Sequence, residues 1–435
     1  MQRVLLLLLG VLVSACSAHA EPHAFTGATI YPVSGPVIED GVLLIDGDRI
    51  VAVGSADQVR IPDNAQVSDV SGKVILPGLV DTHSHVGGPA GGDRSGALHP
   101  GVRALDSVNV RDHSFRRALA GGITTMNVMP GSGHLMSGQT LYLKLRANPL
   151  TVDDWLFCED ATFGVCGGMK MANGTNPIRD QGGPFPGTRA RSAEMVRALF
   201  SQARDYRRRQ ERAGDDPDRQ PDVDLGMEAL LQILDGERTV HFHTHRHDDI
   251  ITALRLGDEF GFTPVLHHVS EGWKVPERIA EADAPASIIM IDSPGGKHEA
   301  VNLLWKTAPA LEEAGVDTAF HTDDFITDSR LFMRSAGLGV RAGMSREAAI
   351  EALTLAGARM LGLDDRLGSL EAGKDADFII LSGDPLSVHT HVLETWVEGQ
   401  RVFDRDDPEQ RQWATGGPEV FRGDSLHSHG QGGGQ

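Results

Sequence analysis

Gly78-Leu79-Val80-Asp81-Thr82-His83-Ser84-His85 is the stretch on which the fold turns. It reads as an apolar β-run that ends in two histidines at alternate positions. Side chains two apart on a strand point to the same side, so both imidazoles face one way where the strand stops. Paired same-face imidazoles are unfavourable when buried unless they bind something, and together they make a metal-chelating geometry. A strand with chelators at its end belongs at the mouth of a parallel barrel, where the ends of several strands meet.

Outward from this segment, apolar β-type runs recur near 75–83, 123–129, 155–159, 168–172, 238–245, 263–269, 287–292 and 317–323, with helical stretches in most of the gaps. Eight such runs predict an α/β fold, a (β/α)8 TIM-type barrel. Ser345 to Leu361 predicts one helix, with Ala349, Leu353, Ala356 and Met360 on a stripe and Gly362 as its stop, and Arg191 to Arg212 predicts another. The segment 160–168 is too short for a barrel helix. Short strands between 24 and 58, and again at 376–381 and 395–402, predict a small sheet domain shared by both chain ends. The expected divisions are 1–20, 21–74, 75–364, 365–410 and a Gly- and His-rich disordered tail at 411–435, where His427 and His429 are candidates for metal scavenging.

The remaining chemistry sits at later strand ends. His241, His243 and His245 alternate along one run, His267 and His268 end the next, and His321 precedes Asp323 and Asp324. A barrel gathers these ends on one face, where they can hold one or two divalent ions. Met129-Pro130-Gly131-Ser132-Gly133 leads to Ser137-Gly138-Gln139, read either as a polar loop lining the mouth or as a tight turn before a helix. Arg246, Lys274 and Arg330 are candidates for holding a substrate carboxylate.

The chain has 435 residues, enough for one large barrel or two to three smaller domains, and a net charge of −20 that would repel phosphate backbones. Nucleic acid is therefore excluded as an expected partner, and a charged fraction of 23% argues against global disorder. Arg3 and the apolar run Val4 to Val13 form a secretory signal peptide too short to span a bilayer. Two processing readings stay open: Val13-Ser14-Ala15-Cys16 as a lipobox that leaves a lipidated Cys16, and Ala18-His19-Ala20 as an ordinary cleavage site. The expected location is the periplasm or the outer envelope, with membrane contact only through that lipid. Cys158 and Cys166 then remain as an even pair, either a disulfide closing a short loop or two buried thiols.

Gly78 to His85, the later histidine-bearing strands, Thr322-Asp323 and the ending Gly368-Ser369-Leu370-Glu371-Ala372-Gly373-Lys374-Asp375-Ala376-Asp377 together resemble the amidohydrolase superfamily, and within it the imidazolonepropionase-related branch. The resemblance covers roughly residues 25 to 405. It implies a metal site at the strand C-termini of the barrel and a small β-sandwich from both chain ends. It implies His83, His85, His243 and His268 as metal ligands and Asp323 as ligand and catalytic base. His241, His245, His267 and His321 become candidates for substrate contact or for orienting the ligands. Lys170, in Gly168-Met169-Lys170-Met171, stands where binuclear relatives carry a carboxylated lysine that bridges two metals, with pairing to Glu159 or Asp160 as the other reading.

Deaminases of the superfamily present His-x-x-Glu after the fifth strand. Here His243 is followed by Thr244-His245-Arg246, although His268-Val269-Ser270-Glu271 has that spacing one strand later. The expectation is an exported zinc hydrolase, with one or two ions per chain, that cleaves an amide or peptide-like C–N bond in a small peptide or N-acyl amino acid. A cyclic-amide hydrolase or heterocycle deaminase, and a non-catalytic metal-binding envelope protein, are the alternatives. Self-association into a homo-oligomer is a further open expectation.

Overall fold

A computed structural model of the chain describes residues 21–89, 91–162, 164–180, 183–291, 298–324 and 326–416. The segment expected to be a signal peptide, Cys16 and the tail histidines His427 and His429 lie outside the described residues. In chain order the strands are β1 His23–Ile30, β2 Ile38–Asp46, β3 Arg49–Ser55, β4 Gln66–Asp69, β5 Val74–Pro77, β6 Leu79–Ser84, β7 Ile123–Val128, β8 Met136–Gln139 and β9 Leu141–Lys144. They continue as β10 Met169–Ala172, β11 Val240–Thr244, β12 Pro264–His268, β13 Ala286–Ile288, β14 Thr318–Phe320, β15 Phe378–Leu381, β16 Val392–Val397 and β17 Gln400–Asp404. No helix among the described residues is long and apolar enough to cross a membrane.

Both ends of the chain meet in one eight-stranded sheet of order β17-β16-β15-β5-β1-β2-β3, with β4 beside β1. The junction is the antiparallel pairing of β5 with β15, in which Leu76 faces Ile379. Alternation puts Phe25, Leu43, Ile45, Phe378 and Trp396 in one apolar cluster and Ala24, Val42 and Leu44 in another. The Phe25, Phe378 and Trp396 rings pack with centroids 5.0 to 5.5 Å apart.

The barrel starts where β5 runs on into β6. Its staves follow β6-β7-β9 and then β8-β10-β11-β12-β13-β14. Parallel pairing holds along β10 to β14 and between β6 and β7. A parallel bridge from Ser84 to Asp324 and the hydrogen bond from the Asp323 amide to the His83 carbonyl, 2.9 Å, close the ring at the mouth.

Two expected elements differ. The third stave is not 155–159 but β8 and β9, one nearly continuous run interrupted at Thr140 that lies antiparallel to both neighbours, β10 and β7. Met136, Leu141 and Leu143 are fully buried there, so the Ser137-Gly138-Gln139 segment read as a mouth loop or a turn before a helix belongs to a barrel wall. The apolar run at 155–159 packs outside instead. Trp155 ends a 3-10 turn, lies edge-on to Phe115 and donates its indole N–H to the Arg146 carbonyl, and a disulfide joins Cys158 to Cys166.

The single helix expected over 345–361 is two, Arg346–Glu351 and Leu355–Leu361, broken at Thr354 with φ −134° and ψ −93°. The carbonyls of Ala352 and Leu353 accept from the amides of Phe320 and Val80, at 2.8 and 2.9 Å. The break therefore satisfies the facing edges of β14 and β6 deep in the barrel. Gly357 allows the second helix to approach, since a Cβ there would lie 3.1 Å from Val80.

Candidate metal centre

The first strand delivers its two histidines together. His83 Nε2 and His85 Nε2 are 3.3 Å apart, and Asp323 Oδ1 at the end of the eighth strand lies 3.5 and 2.9 Å from them. Lys170 Nζ, from β10, reaches His83 Nε2 at 3.0 Å and Met129 Sδ at 3.1 Å. All four side chains are buried. Asp323 holds a left-handed backbone at φ 49°, a conformation that costs a non-glycine residue on the order of 1 kcal/mol or more and recurs at functional sites.

The ring of His83 is oriented from behind. Its Nδ1 meets His267 Nδ1 at 3.2 Å, His267 Nε2 meets His241 Nδ1 at 2.9 Å, and His241 Nε2 meets the Tyr142 hydroxyl at 2.8 Å. Burial pushes His83 well below its ordinary value, and the positive charge of Lys170 adds to this. His267 and His268 are driven the same way by burial and by neighbouring histidines, and burial takes His241 down to about 3. Neutral imidazole is the form that ligates metals. A neutral ring carries one proton, so a lone pair at His83 Nε2 requires every proton of this row to point outward, from His83 to His267 to His241 to Tyr142. Tyr142 in turn hydrogen-bonds Thr239, so the row ends satisfied.

A second group lies across the mouth. Consecutive residues on a strand face opposite ways, yet His267 and His268 both meet barrel histidines, because left-handed backbone at His268 and Val269, φ 72° and 50°, re-aims the second ring. His268 packs 4.8 Å from the His83 ring and 4.3 Å from His243, and its Nδ1 meets His321 Nε2 at 3.2 Å. His321 is held in turn by Ser287 Oγ at 2.7 Å. Three sets of side chains offer ligand atoms within 4.8 Å of one another: His83, His85 and Asp323; His83, His268 and His321; His243, His245 and His268. His268 Nε2 is buried without a hydrogen-bond partner, and so is Glu299 Oε1. Buried polar atoms ordinarily find partners, so these nitrogen-rich sets with orphaned donor atoms fit a divalent ion.

The structure thus brings His83, His85, Lys170 and Asp323 together, and His243, His245, His268 and His321 beside them. Arg246 and Lys274 do not join them. Arg246 forms a two-point pair with Asp248 at a helix start, and Lys274 binds Glu271 at 2.8 Å, so each expected carboxylate holder is neutralised by its own chain. Arg330 forms a similar two-point pair with Asp328. Glu271, at the deaminase-like spacing, is likewise committed to Lys274, His247 and Asn302. Glu299 is the site residue that sequence reasoning missed. It sits at 3.6 Å from His243 Nε2 and 4.0 Å from His245 Nε2, and no motif or spacing singles it out.

Comparison with known proteins places this mouth among relatives. Residues 192–403 match the model of an amidohydrolase family. A crystal structure of an amidohydrolase from Thermotoga maritima is 32% identical, with a TM-score of 0.80, over 88% of this chain and 100% of that one. The amidohydrolase tasK of Hapsidospora irregularis is 29% identical over 83% of this chain, which spans only 40% of that protein's length. An imidazolonepropionase of Erwinia tasmaniensis is 24% identical over 82% of this chain and 91% of its own. What the paired histidines of the first strand suggest, the likeness to the Thermotoga protein along its whole length establishes: the chain belongs to the amidohydrolase superfamily and is a hydrolase of carbon–nitrogen bonds.

Proposed function

We propose that the protein is an exported, zinc-dependent amidohydrolase that opens an amide or peptide-like bond in a small substrate, with small peptides and N-acyl amino acids as the class to screen. The observation that carries this is the convergence of His83 Nε2, His85 Nε2 and Asp323 Oδ1. Zinc is the ion we favour because the donors are mostly imidazole nitrogen. A divalent ion bound there would supply Lewis acidity to water and to the scissile carbonyl. His83 and His85 would hold the ion, with His83 fixed by His267 and with His85 Nδ1 fixed by the Met129 carbonyl at 2.7 Å. Asp323 takes the proton of the attacking water on its carboxylate and returns it to the leaving nitrogen. Lys170, buried against His83, is the candidate for a carboxylated bridge.

Glu271 speaks against a deaminase. Burial opposes its ionisation, but Lys274, His247 and Asn302 override that and tie both of its carboxylate oxygens into fixed contacts. The Cys158–Cys166 disulfide supports export, since such bonds persist in oxidising compartments. The test is a panel of dipeptides, N-acyl amino acids and cyclic amides, assayed with the wild-type chain and Asp323→Asn. The variant is expected to lose roughly 10²–10⁴ in kcat. Wild-type turnover by the variant would refute the assignment of Asp323, and release of ammonia from a ring would replace the amide reading.

A further inference from the structure

We propose that Arg179 holds the free carboxylate of the substrate, so that the mouth selects peptides and N-acyl amino acids that end in an unblocked acid. The inference rests on the reading that the mouth opens an amide, and it names the residue that grips the far end of that substrate.

Arg179 stands where mouth loops meet. The segments that follow β6, β7 and β10 all leave the C-terminal ends of barrel strands, the face on which such barrels bind their substrates. From the third of these, Arg179 Nη1 donates to the carbonyls of Asn176 and Ile178, at 2.5 and 2.9 Å, and Nη2 donates across to the Gly133 carbonyl at 3.1 Å. The guanidinium lies 4.9 Å from the centre of the Phe185 ring. Both of its tethers lead straight to the catalytic histidines. The Asn176 amide nitrogen is 3.3 Å from His243 Nε2, and Ser132, the residue before Gly133, sets its Oγ 2.9 Å from His243 Nδ1.

The guanidinium is fixed but not neutralised. Arg246, Lys274 and Arg330 each pair with a carboxylate of their own chain, whereas no carboxylate among the described residues pairs with Arg179. In a chain of net charge −20, a cation held in place by carbonyls alone points to an anion from outside. Three of the five N–H donors of a guanidinium are occupied, which leaves Nε and one hydrogen of Nη2, neighbours in one plane that suit the two oxygens of a carboxylate. Because the side chain is already ordered, little further freedom is lost when the anion binds.

His134 supplies the wall beside it. Its ring is buried against the Asp93 backbone, with neither nitrogen in a hydrogen bond of ordinary geometry. Burial, then His99 and Arg179, lower it below the ordinary histidine value, so it stands as a neutral ring with an N–H to offer. Gly92 lets the β6 loop close over this ring, since a Cβ there would lie 2.8 Å from His134 Cε1.

The experiment compares N-acetyl amino acids with their carboxamide twins, which differ only at the carboxylate, on the zinc-loaded full-length chain. Turnover is measured with the wild-type active site and binding by calorimetry in the Asp323→Asn background. The unsubstituted Arg179 site is expected to prefer the acids. Arg179→Gln should lower the acid-to-carboxamide ratio roughly 10- to 100-fold, in affinity and in kcat/KM, with the change in KM rather than kcat. Arg179→Lys, which keeps the charge and loses the fork, should lower it less.

A residue that does no more than tie Gly133 to Asn176 would move acids and carboxamides together. An unchanged ratio in Arg179→Gln therefore overturns the proposal, and so does a wild type that takes acids and carboxamides equally. Zinc content and melting temperature matched to wild type exclude loss of the metal or of the fold. If Arg179→Gln fails to fold, a ratio unchanged in Arg179→Lys overturns the proposal in its place. Turnover without preference for acids leaves the hydrolase reading intact. Absence of turnover for every pair sinks the amide reading, and the calorimetric ratio still decides the role of Arg179.

Discussion

Glu271 illustrates how a residue can sit at a functional spacing and do structural work. Its carboxyl anchors Lys274, the His247 ring and the Asn302 amide, and it is held at about 2 against an ordinary value near 4.3. The native state therefore binds fewer protons than the unfolded chain between these values. The stabilisation is complete above the unfolded value and is lost as pH falls through about 2. Glu271→Gln should cost about 2 kcal/mol at pH 7. Urea unfolding should show that difference shrinking between pH 5 and 2, and a gap independent of pH would refute the linkage. The neighbouring chemistry was legible because metal ligation constrains spacing. His83 and His85 alternate on a strand end, and Asp323 follows the last strand. Glu299 was not legible, because its fit depends on Gly174 and Thr175, distant in sequence and brought near only by the barrel.

Among elements, seven of the barrel's eight staves fall where apolar runs predict them, and the third shows what pattern reading misses. A run with Ser, Gly and Gln at its middle looks like a loop when only the chain itself is in view. It is a wall because β10 and β7 supply hydrogen bonds on both sides. That wall depends on close backbone approach. The Thr140 amide donates to the Gly168 carbonyl at 2.8 Å, and a Cβ on Gly167 would lie 2.2 Å from the Thr140 carbonyl oxygen. Gly167→Ala should therefore destabilise by about 1–3 kcal/mol through overpacking against a backbone atom that cannot turn aside. A chemical-denaturation midpoint equal to wild type would refute this. The broken helix after Ser345 was illegible for a related reason. Its apolar stripe is continuous, and only the edges of β6 and β14 claim the carbonyls of Ala352 and Leu353.

Across the molecule, the ending motif that carries the family resemblance is the clamp between barrel and sheet. Lys144, fully buried on β9, contacts Asp375, sits 2.9 Å from Asp377 and lies 3.4 Å from Glu398. Arg366 adds a second cation on Asp375 at 2.9 Å, and Arg146 one on Glu398 at 2.7 Å. Removing one partner from a buried ion cluster leaves uncompensated charge, so Lys144→Met should cost about 3–5 kcal/mol. Thermal and denaturant unfolding measure it, and a variant as stable as wild type would show that the cluster contributes nothing to the clamp. The order in which the chain is made gives this clamp another meaning. Its carboxylates and the strand that covers β5 follow the whole barrel in the order of the chain. Until they emerge, the barrel wall carries a buried cation with no counter-charge and the sheet has a bare edge. A growing polypeptide therefore cannot close this junction before residues 375–398 have been made, however early the barrel strands emerge.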